Sequence, residues 1–125
     1  MAHTRRLTNE EKTIGSYSGK NRPTYPEDVD PDTPIETLNL DWSERALPER
    51  ERTKHVHRLH PYLGKYIPQL VEIFLRKFFQ AGQTVYDPFC GCGTTLVEAN
   101  VLGVNAVGCD IAPFNCLLCR AKTAK

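Results

Sequence analysis

The order of apolar and polar residues divides the chain in two. From Met1 to about Asp32 no period of 2 or 3.6 is sustained, and turn formers dominate (Ser16, Gly19, Asn21, Pro23, Pro26), so this stretch reads as extended or disordered. Ile35, Leu38, Leu40 and Trp42 then form a short apolar patch able to dock on a core, with Trp42 a lone aromatic tether. Beyond His60 the pattern becomes regular. Ile67, Leu70, Val71, Phe74, Leu75 and Phe78 recur at i, i+3, i+4, i+7, i+8 and i+11, which is one apolar face of a helix. Pro68 suits its first turn, where a missing N–H costs nothing, and Gly82 suits its stop. Thr84–Asp87 predicts a short buried strand, Pro88–Gly93 a loop, and Thr94–Leu102 a helix closed by Gly103. Val104–Cys109 predicts a second strand, and Pro113 opens a last helix through Arg120. Strand, helix and strand within about 30 residues make a βαβ unit, so the fold class is α/β with parallel strands.

Composition sharpens this division. Residues 1–54 hold 9 Lys+Arg against 11 Asp+Glu, and residues 55–125 hold 7 against 4, which gives the net charge of +1. Five of the nine prolines lie in the first part, and all five cysteines lie in the last 36 residues. The expected organisation is a poorly ordered or loop-rich arm over residues 1–54 and a folded portion over residues 55–125. Near-neutral charge excludes a nucleic-acid binder that works by bulk electrostatics alone. No apolar run approaches the ~18 residues of a membrane span. Met1 to Arg6 is polar, without an apolar signal core. The expectation is a cytoplasmic protein with no membrane partner.

The chemistry concentrates in Asp87-Pro88-Phe89-Cys90-Gly91-Cys92-Gly93-Thr94-Thr95, which joins a strand to a helix start. Gly91 and Gly93 permit a tight turn and close approach to a ligand, and Thr94 or Thr95 can cap the helix. Asp110 follows Gly91 by 19 residues, at the tip of the neighbouring strand. A carboxylate there accepts hydrogen bonds from the hydroxyls of an adenosine ribose. Charge selects the nucleoside. A dinucleotide would set its pyrophosphate on the glycine loop, beside Asp87, and two like charges ~4 Å apart repel by roughly 1–4 kcal/mol. A cofactor with an ammonium and a sulfonium but no phosphate turns that repulsion into attraction, and S-adenosylmethionine fits. Leu96 stands where G-x-G-x-x-G needs its third glycine, and no G-K-[ST] follows.

The segment Asp87-Pro88-Phe89-Cys90-Gly91-Cys92-Gly93-Thr94-Thr95-Leu96-Val97-Glu98-Ala99 resembles the cofactor motif of DNA amino-methyltransferases, which modify cytosine at N-4 or adenine at N-6. His60-Pro61-Tyr62-Leu63-Gly64-Lys65-Tyr66-Ile67-Pro68 resembles the segment preceding it in that family. The resemblance covers about residues 60–122 and implies a Rossmann-like methyltransferase fold, here its cofactor-binding βαβ portion. It further implies that Lys65, Tyr66 and Pro68 help hold the methionine end of the cofactor, that Asp110 is the family's acidic residue, and that Ile111 lies against the adenine. With Asp87, Phe89, Gly91, Gly93, Thr94 and Thr95 these make the candidate cofactor residues.

The family's catalytic motif, a Ser, Asn or Asp followed by Pro-Pro and an aromatic, is absent, because the chain contains no Pro-Pro. No catalytic residue is therefore assigned. The expectation is the cofactor portion of a DNA methyltransferase of restriction–modification or orphan type. It would be inactive alone, and a complementary chain or a missing C-terminal portion would supply the rest. An RNA guanine amino-methyltransferase fragment is the alternative among enzymes. A non-catalytic interaction protein, metal-linked through its cysteines, is the alternative outside them. Cys116 and Cys119 share a helix face, and Cys90, Cys92 and Cys109 lie near the cofactor edge, yet Cys109 is expected inside a buried strand and free cysteine is commonly a small hydrophobe, so no metal site is assigned. His55, His57 and His60 lack a spaced carboxylate, and His60 belongs to the upstream motif. Lys54, Arg58, Lys65, Arg76 and Lys77 are candidates for phosphate contact or a solvated face.

Overall fold

A computed structural model describes residues 22–61 and 64–124 of the chain. Among the described residues four α-helices and two strands follow one another: α1 (Glu49–Arg52), α2 (Pro68–Phe78), β1 (Thr84–Asp87), α3 (Thr94–Val101), β2 (Asn105–Gly108) and α4 (Pro113–Thr123). Short 3-10 turns at Pro26–Asp28, Ile35–Thr37 and His55–Leu59 punctuate the segment before α2. The strands pair in parallel with Thr84 opposite Asn105 and Asp87 opposite Gly108. This is the parallel α/β βαβ unit that the pattern predicts, in the arrangement of part of a Rossmann-like sheet. Among the described residues no helix is long and apolar enough to cross a membrane.

The core forms where α2, α3 and one face of the sheet meet. Leu75, Ala99 and Val104 are buried at its centre, with Val71, Phe79, Val85, Leu102 and Ala106 packed around them. The strands are less covered than the expected buried strands. Tyr86 and Val107, adjacent in the register, are 62% and 54% exposed. Strand side chains alternate between faces, so the helices that cover Val85 and Ala106 leave the other face open among the described residues. The helix boundaries also shift. The chain leaves α2 after Phe78, and Gly82 serves the turn into β1, with its N–H on the Gly103 carbonyl. The last helix runs on to Thr123.

The faces of α2 depart furthest from the pattern. Phe74 and Phe78 of the predicted apolar stripe are exposed and stack on each other at 6.3 Å, while Gln69 and Glu72 are buried with Ile73. The cause is a second set of contacts from the N-terminal segment. Gln69 donates to the Glu51 carbonyl at 2.6 Å, and Lys77 donates to the carbonyls of Pro31 and Thr33. Trp42 binds within its own segment through its indole N–H to the Thr24 carbonyl (3.0 Å), and Tyr25 reaches the Ala46 carbonyl. This segment buries Pro23, Pro26, Val29, Leu47 and His57, and Ile35 of the predicted patch stays exposed.

A charged cluster fastens this segment to both helices. Glu98, wholly buried in the middle of α3, accepts a hydrogen bond from His57 Nε2 at 2.8 Å and lies 2.9 Å from Lys54 Nζ. Lys54 also meets Glu72 of α2, which Arg76 holds from the next turn at 2.8 Å. Burial alone would raise the Glu98 carboxyl, but the bonds from His57 and Lys54 outweigh it and hold the group below its ordinary value. The stability tied to this depression is present above the unfolded value of 4.5 and is lost as pH falls through the folded one. Unfolding free energy measured by urea titration is therefore expected to decline as the solution is acidified below pH 4.5, and Glu98→Gln is expected to flatten that decline. A second prediction concerns packing. A Cβ at Gly108 would come within 2.9 Å of both Cys90 Cβ and Leu96 Cδ1. Gly108→Ala should lower stability in the same titration by about 1–3 kcal/mol, the usual cost of overpacking.

Candidate functional site

The loop between β1 and α3 is pinned to the end of β2 by its backbone. Cys109 N–H donates to the Asp87 carbonyl and Cys90 N–H to the Cys109 carbonyl, each at 3.0 Å, which extends the strand pairing past Gly108. The Asp87 carboxylate turns the chain by accepting from the Phe89 N–H at 3.0 Å. The predicted threonine cap is not what starts α3. Its N-cap is Gly93 at φ 86, with no side-chain cap bond, and Thr94 is already helical and buried. The left-handed turn requires glycine, and so does the space, since a Cβ there would sit 2.9 Å from Cys119 Sγ. What Thr94 can present to a ligand is thus its backbone N–H, whereas Thr95 keeps a half-buried hydroxyl.

Asp110 closes the site from the β2 side. Its Oδ2 accepts from the Gly91 N–H at 2.9 Å, and its Oδ1 accepts from the Ala112 N–H at 2.8 Å and Asn115 Nδ2 at 3.0 Å. The Ala112 N–H, the Asn115 amide and then the Gly91 N–H hold this carboxyl below its ordinary value, so it is ionised at neutral pH. Oδ1 thus has both lone pairs engaged, and Oδ2 retains one for a further donor. Phe89 is 86% exposed and Ile111 fully exposed, two large apolar side chains left bare at this edge. Phe89, Gly91, Gly93, Thr94, Thr95, Asp110 and Ile111 thus come together with Asp87 at the C-terminal edge of the sheet.

The upstream residues are organised differently. Tyr62 and Leu63 of that segment lie outside the described residues. Lys65 Nζ donates to the His57 carbonyl at 2.8 Å, and Tyr66 is two-thirds exposed. Pro68 is buried as the first residue of α2, so its ring serves packing. His60 stacks edge-on against Phe114 of α4 at 5.4 Å, which ties the segment to the helix that follows Asp110.

Sequence reasoning passed over His57, Lys54 and Glu98 as a unit. Residues 55–125 contain only four acidic positions, Glu72, Asp87, Glu98 and Asp110, and Glu98 interrupts an otherwise apolar helix. That isolation is the signal that could have found them. The five proposed phosphate contacts all have protein partners, with Arg58 on Thr53 Oγ1, Lys65 on the His57 carbonyl and the other three in the contacts above. Lys122, buried on α4, donates to the Cys92 carbonyl at 2.9 Å and holds the glycine loop from below.

The cysteines pack this loop against α4. Cys90 Sγ and Cys119 Sγ lie 3.7 Å apart, and Cys119 also reaches the Gly91 carbonyl at 3.3 Å. Burial, the Cys119 contact and the nearby Asp110 and Asp87 charges push the Cys90 thiol up to about 12, so it stays protonated. Cys109, expected inside a buried strand, is exposed, because β2 ends at Gly108 and leaves it on the open edge. Among the described residues no three His, Cys, Asp or Glu side chains are grouped to hold a metal ion.

A family model described as DNA methylase matches residues 2–119. Over 90 residues, 70% of the chain, the sequence is 54% identical to the Type II methyltransferase M.MjaII of Methanocaldococcus jannaschii, of which it covers 17%. It is 40% identical over 70 residues to the Type II methyltransferase M.MvaI of Kocuria varians, covering 54% of the chain and 15% of that protein. It is also 31% identical over 77 residues to a tRNA (guanine(10)-N2)-dimethyltransferase of Methanocaldococcus jannaschii, covering 62% of the chain and 20% of that protein. The chain spans a fifth or less of the length of these curated relatives. With nearly its whole length matched and a parallel βαβ unit carrying the motif, the chain belongs to the N-6/N-4 family of DNA methylases.

Proposed function

We propose that this chain binds S-adenosylmethionine at the C-terminal edge of β1 and β2. In this reading it forms the cofactor portion of an enzyme that methylates the exocyclic amino group of cytosine or adenine in DNA, within a restriction–modification or orphan modification system in the cytoplasm. The observation that carries this reading is the Asp110 carboxylate resting on the Gly91 N–H, with Asp87 at the tip of the adjoining strand. Two carboxylates at one sheet edge disfavour a phosphate on the glycine loop and favour a ligand with cationic groups.

The residues present fit such a ligand. Asp110 keeps a lone pair on Oδ2 for a ribose hydroxyl, Ile111 and Phe89 offer bare apolar surface for the adenine, and Asp87 faces the ammonium. Lys65 and Tyr66 hold the methionine end. The backbone of Gly91–Thr95 permits close approach. The cofactor supplies an electrophilic methyl group on sulfur. The acceptor for the target amino proton and the surface that stacks on a flipped base come from residues beyond these 125, since the chain holds no Pro-Pro. A complementary chain or further residues of the same protein would bring them, and by itself this chain transfers no methyl group.

A second reading has a specific observation in its favour. The similarity to the tRNA dimethyltransferase supports an RNA guanine amino group as target. The higher identity to the Type II methyltransferases favours DNA.

Calorimetry tests the cofactor reading. Wild-type chain should bind S-adenosylmethionine, and Asp110→Ala should weaken binding by roughly tenfold or more, the worth of hydrogen bonds to a charged group. A folded wild-type chain that takes up no S-adenosylmethionine would sink the reading. In a filter assay with tritiated S-adenosylmethionine, the chain alone should leave duplex DNA and tRNA unlabelled. Label on DNA would contradict its incompleteness, and label on tRNA would move the target to RNA.

A further inference from the structure

His57 links Lys65 of the proposed cofactor site to the helix that carries the glycine loop. Its side chain, wholly buried, donates from Nε2 to Glu98 Oε1 at 2.8 Å, and Glu98 stands one turn after Thr94 on the helix that the glycine loop starts. Its own carbonyl accepts the Lys65 ammonium at 2.8 Å, three residues ahead of α2. The glycine loop and the Lys65–Pro68 segment are 20 residues apart at their nearest in sequence (Pro68 to Pro88), with the rest of α2 and β1 between them. Direct packing of α2 on α3 joins the two further along, and His57 adds a polar link at the Lys65 end.

Two further observations support a purpose beyond packing. Nδ1 of His57 is buried with no hydrogen-bond partner among the described residues, so the Nε2 bond to Glu98 is the polar contact that holds the ring in place. The preceding His55 holds φ 55, a conformation that residues other than glycine rarely adopt. The turn is thus kept against its local preference by the contacts on either side of it.

We infer that His57 is a positioning residue of the cofactor site, setting the Lys65–Tyr66 segment against the glycine loop by joining Glu98 to Lys65. This rests on the proposed S-adenosylmethionine site and adds a residue to it. Its consequence is selective. The nucleoside end of the ligand meets Asp110, Ile111 and the glycine loop, which need no Lys65. The amino-acid end meets the Lys65–Tyr66 segment, whose placement depends on His57.

The test compares two ligands on the full chain by calorimetry, S-adenosylmethionine and methylthioadenosine, which lacks the amino-acid end. His57→Ala should weaken S-adenosylmethionine about tenfold, as misplacement of a binding group commonly does, and leave methylthioadenosine within about twofold. His57→Gln, whose amide nitrogen can reach Glu98, should restore most of the loss. His57→Asn, which keeps a buried amide but falls short of Glu98, should behave as the alanine variant and decides the matter if that variant does not fold. Equal weakening of both ligands, unchanged S-adenosylmethionine binding, or no rescue by glutamine would overturn the inference while leaving the cofactor site intact. Failure of the wild-type chain to bind either ligand would instead overturn the cofactor reading, and this inference with it.

Discussion

Placing a carboxylate out of reach of water costs several kcal/mol unless donors and cations surround it, and Glu98 is placed there completely. The compensation comes from outside its own helix. His57 and Lys54 lie on the segment before α2, and Lys54 shares its charge with Glu72 of α2, which Arg76 also holds. This requirement ties the N-terminal segment to α2 and to the helix that carries the glycine loop, beside the bonds of Gln69 and Lys77 to the same segment. A small apolar core around Leu75, Ala99 and Val104 would not supply that fixity, because the segment before α2 contributes none of its residues.

The same economy of acidic groups shapes the site. Of the four carboxylates after residue 54, two neutralise the buried cluster and two stand at the strand tips. Asp87 turns the loop onto Phe89, and Asp110 draws the Gly91 N–H toward itself. Behind them Cys90, Cys119 and the buried Lys122 seat the loop on α4. The loop is thereby held from both sides before any ligand arrives. Preorganisation of this kind reduces the ordering cost of binding.

Much of this was legible in the residues. The strand–loop–helix order, the parallel pairing and the Gly91–Asp110 relation follow from spacing, because glycine turns and strand tips have narrow geometric requirements. The cap on α3 was not legible: Gly93 and the threonines beside it are all plausible caps, and the crowding of Gly93 against Cys119 comes from a helix 20 residues further on. The faces of α2 were misjudged for a related reason. A periodicity argument assumes one buried face, and α2 has two, one on the core and one on the N-terminal segment, so Glu72 is buried while Phe78 is not. The pairing of His57 with Glu98 joins residues 41 apart and leaves no periodic trace.

The claim on which everything else turns is that a phosphate-free, cationic adenosine cofactor sits where Gly91 meets Asp110. Amide NMR of the isotope-labelled chain, titrated with S-adenosylmethionine, tests it most directly. The account predicts the largest shifts at Gly91, Gly93, Thr95, Asp110 and Ile111, with Tyr86 and Val107 on the open sheet face unmoved. Shifts centred on that open face, or none at the glycine loop, would contradict it.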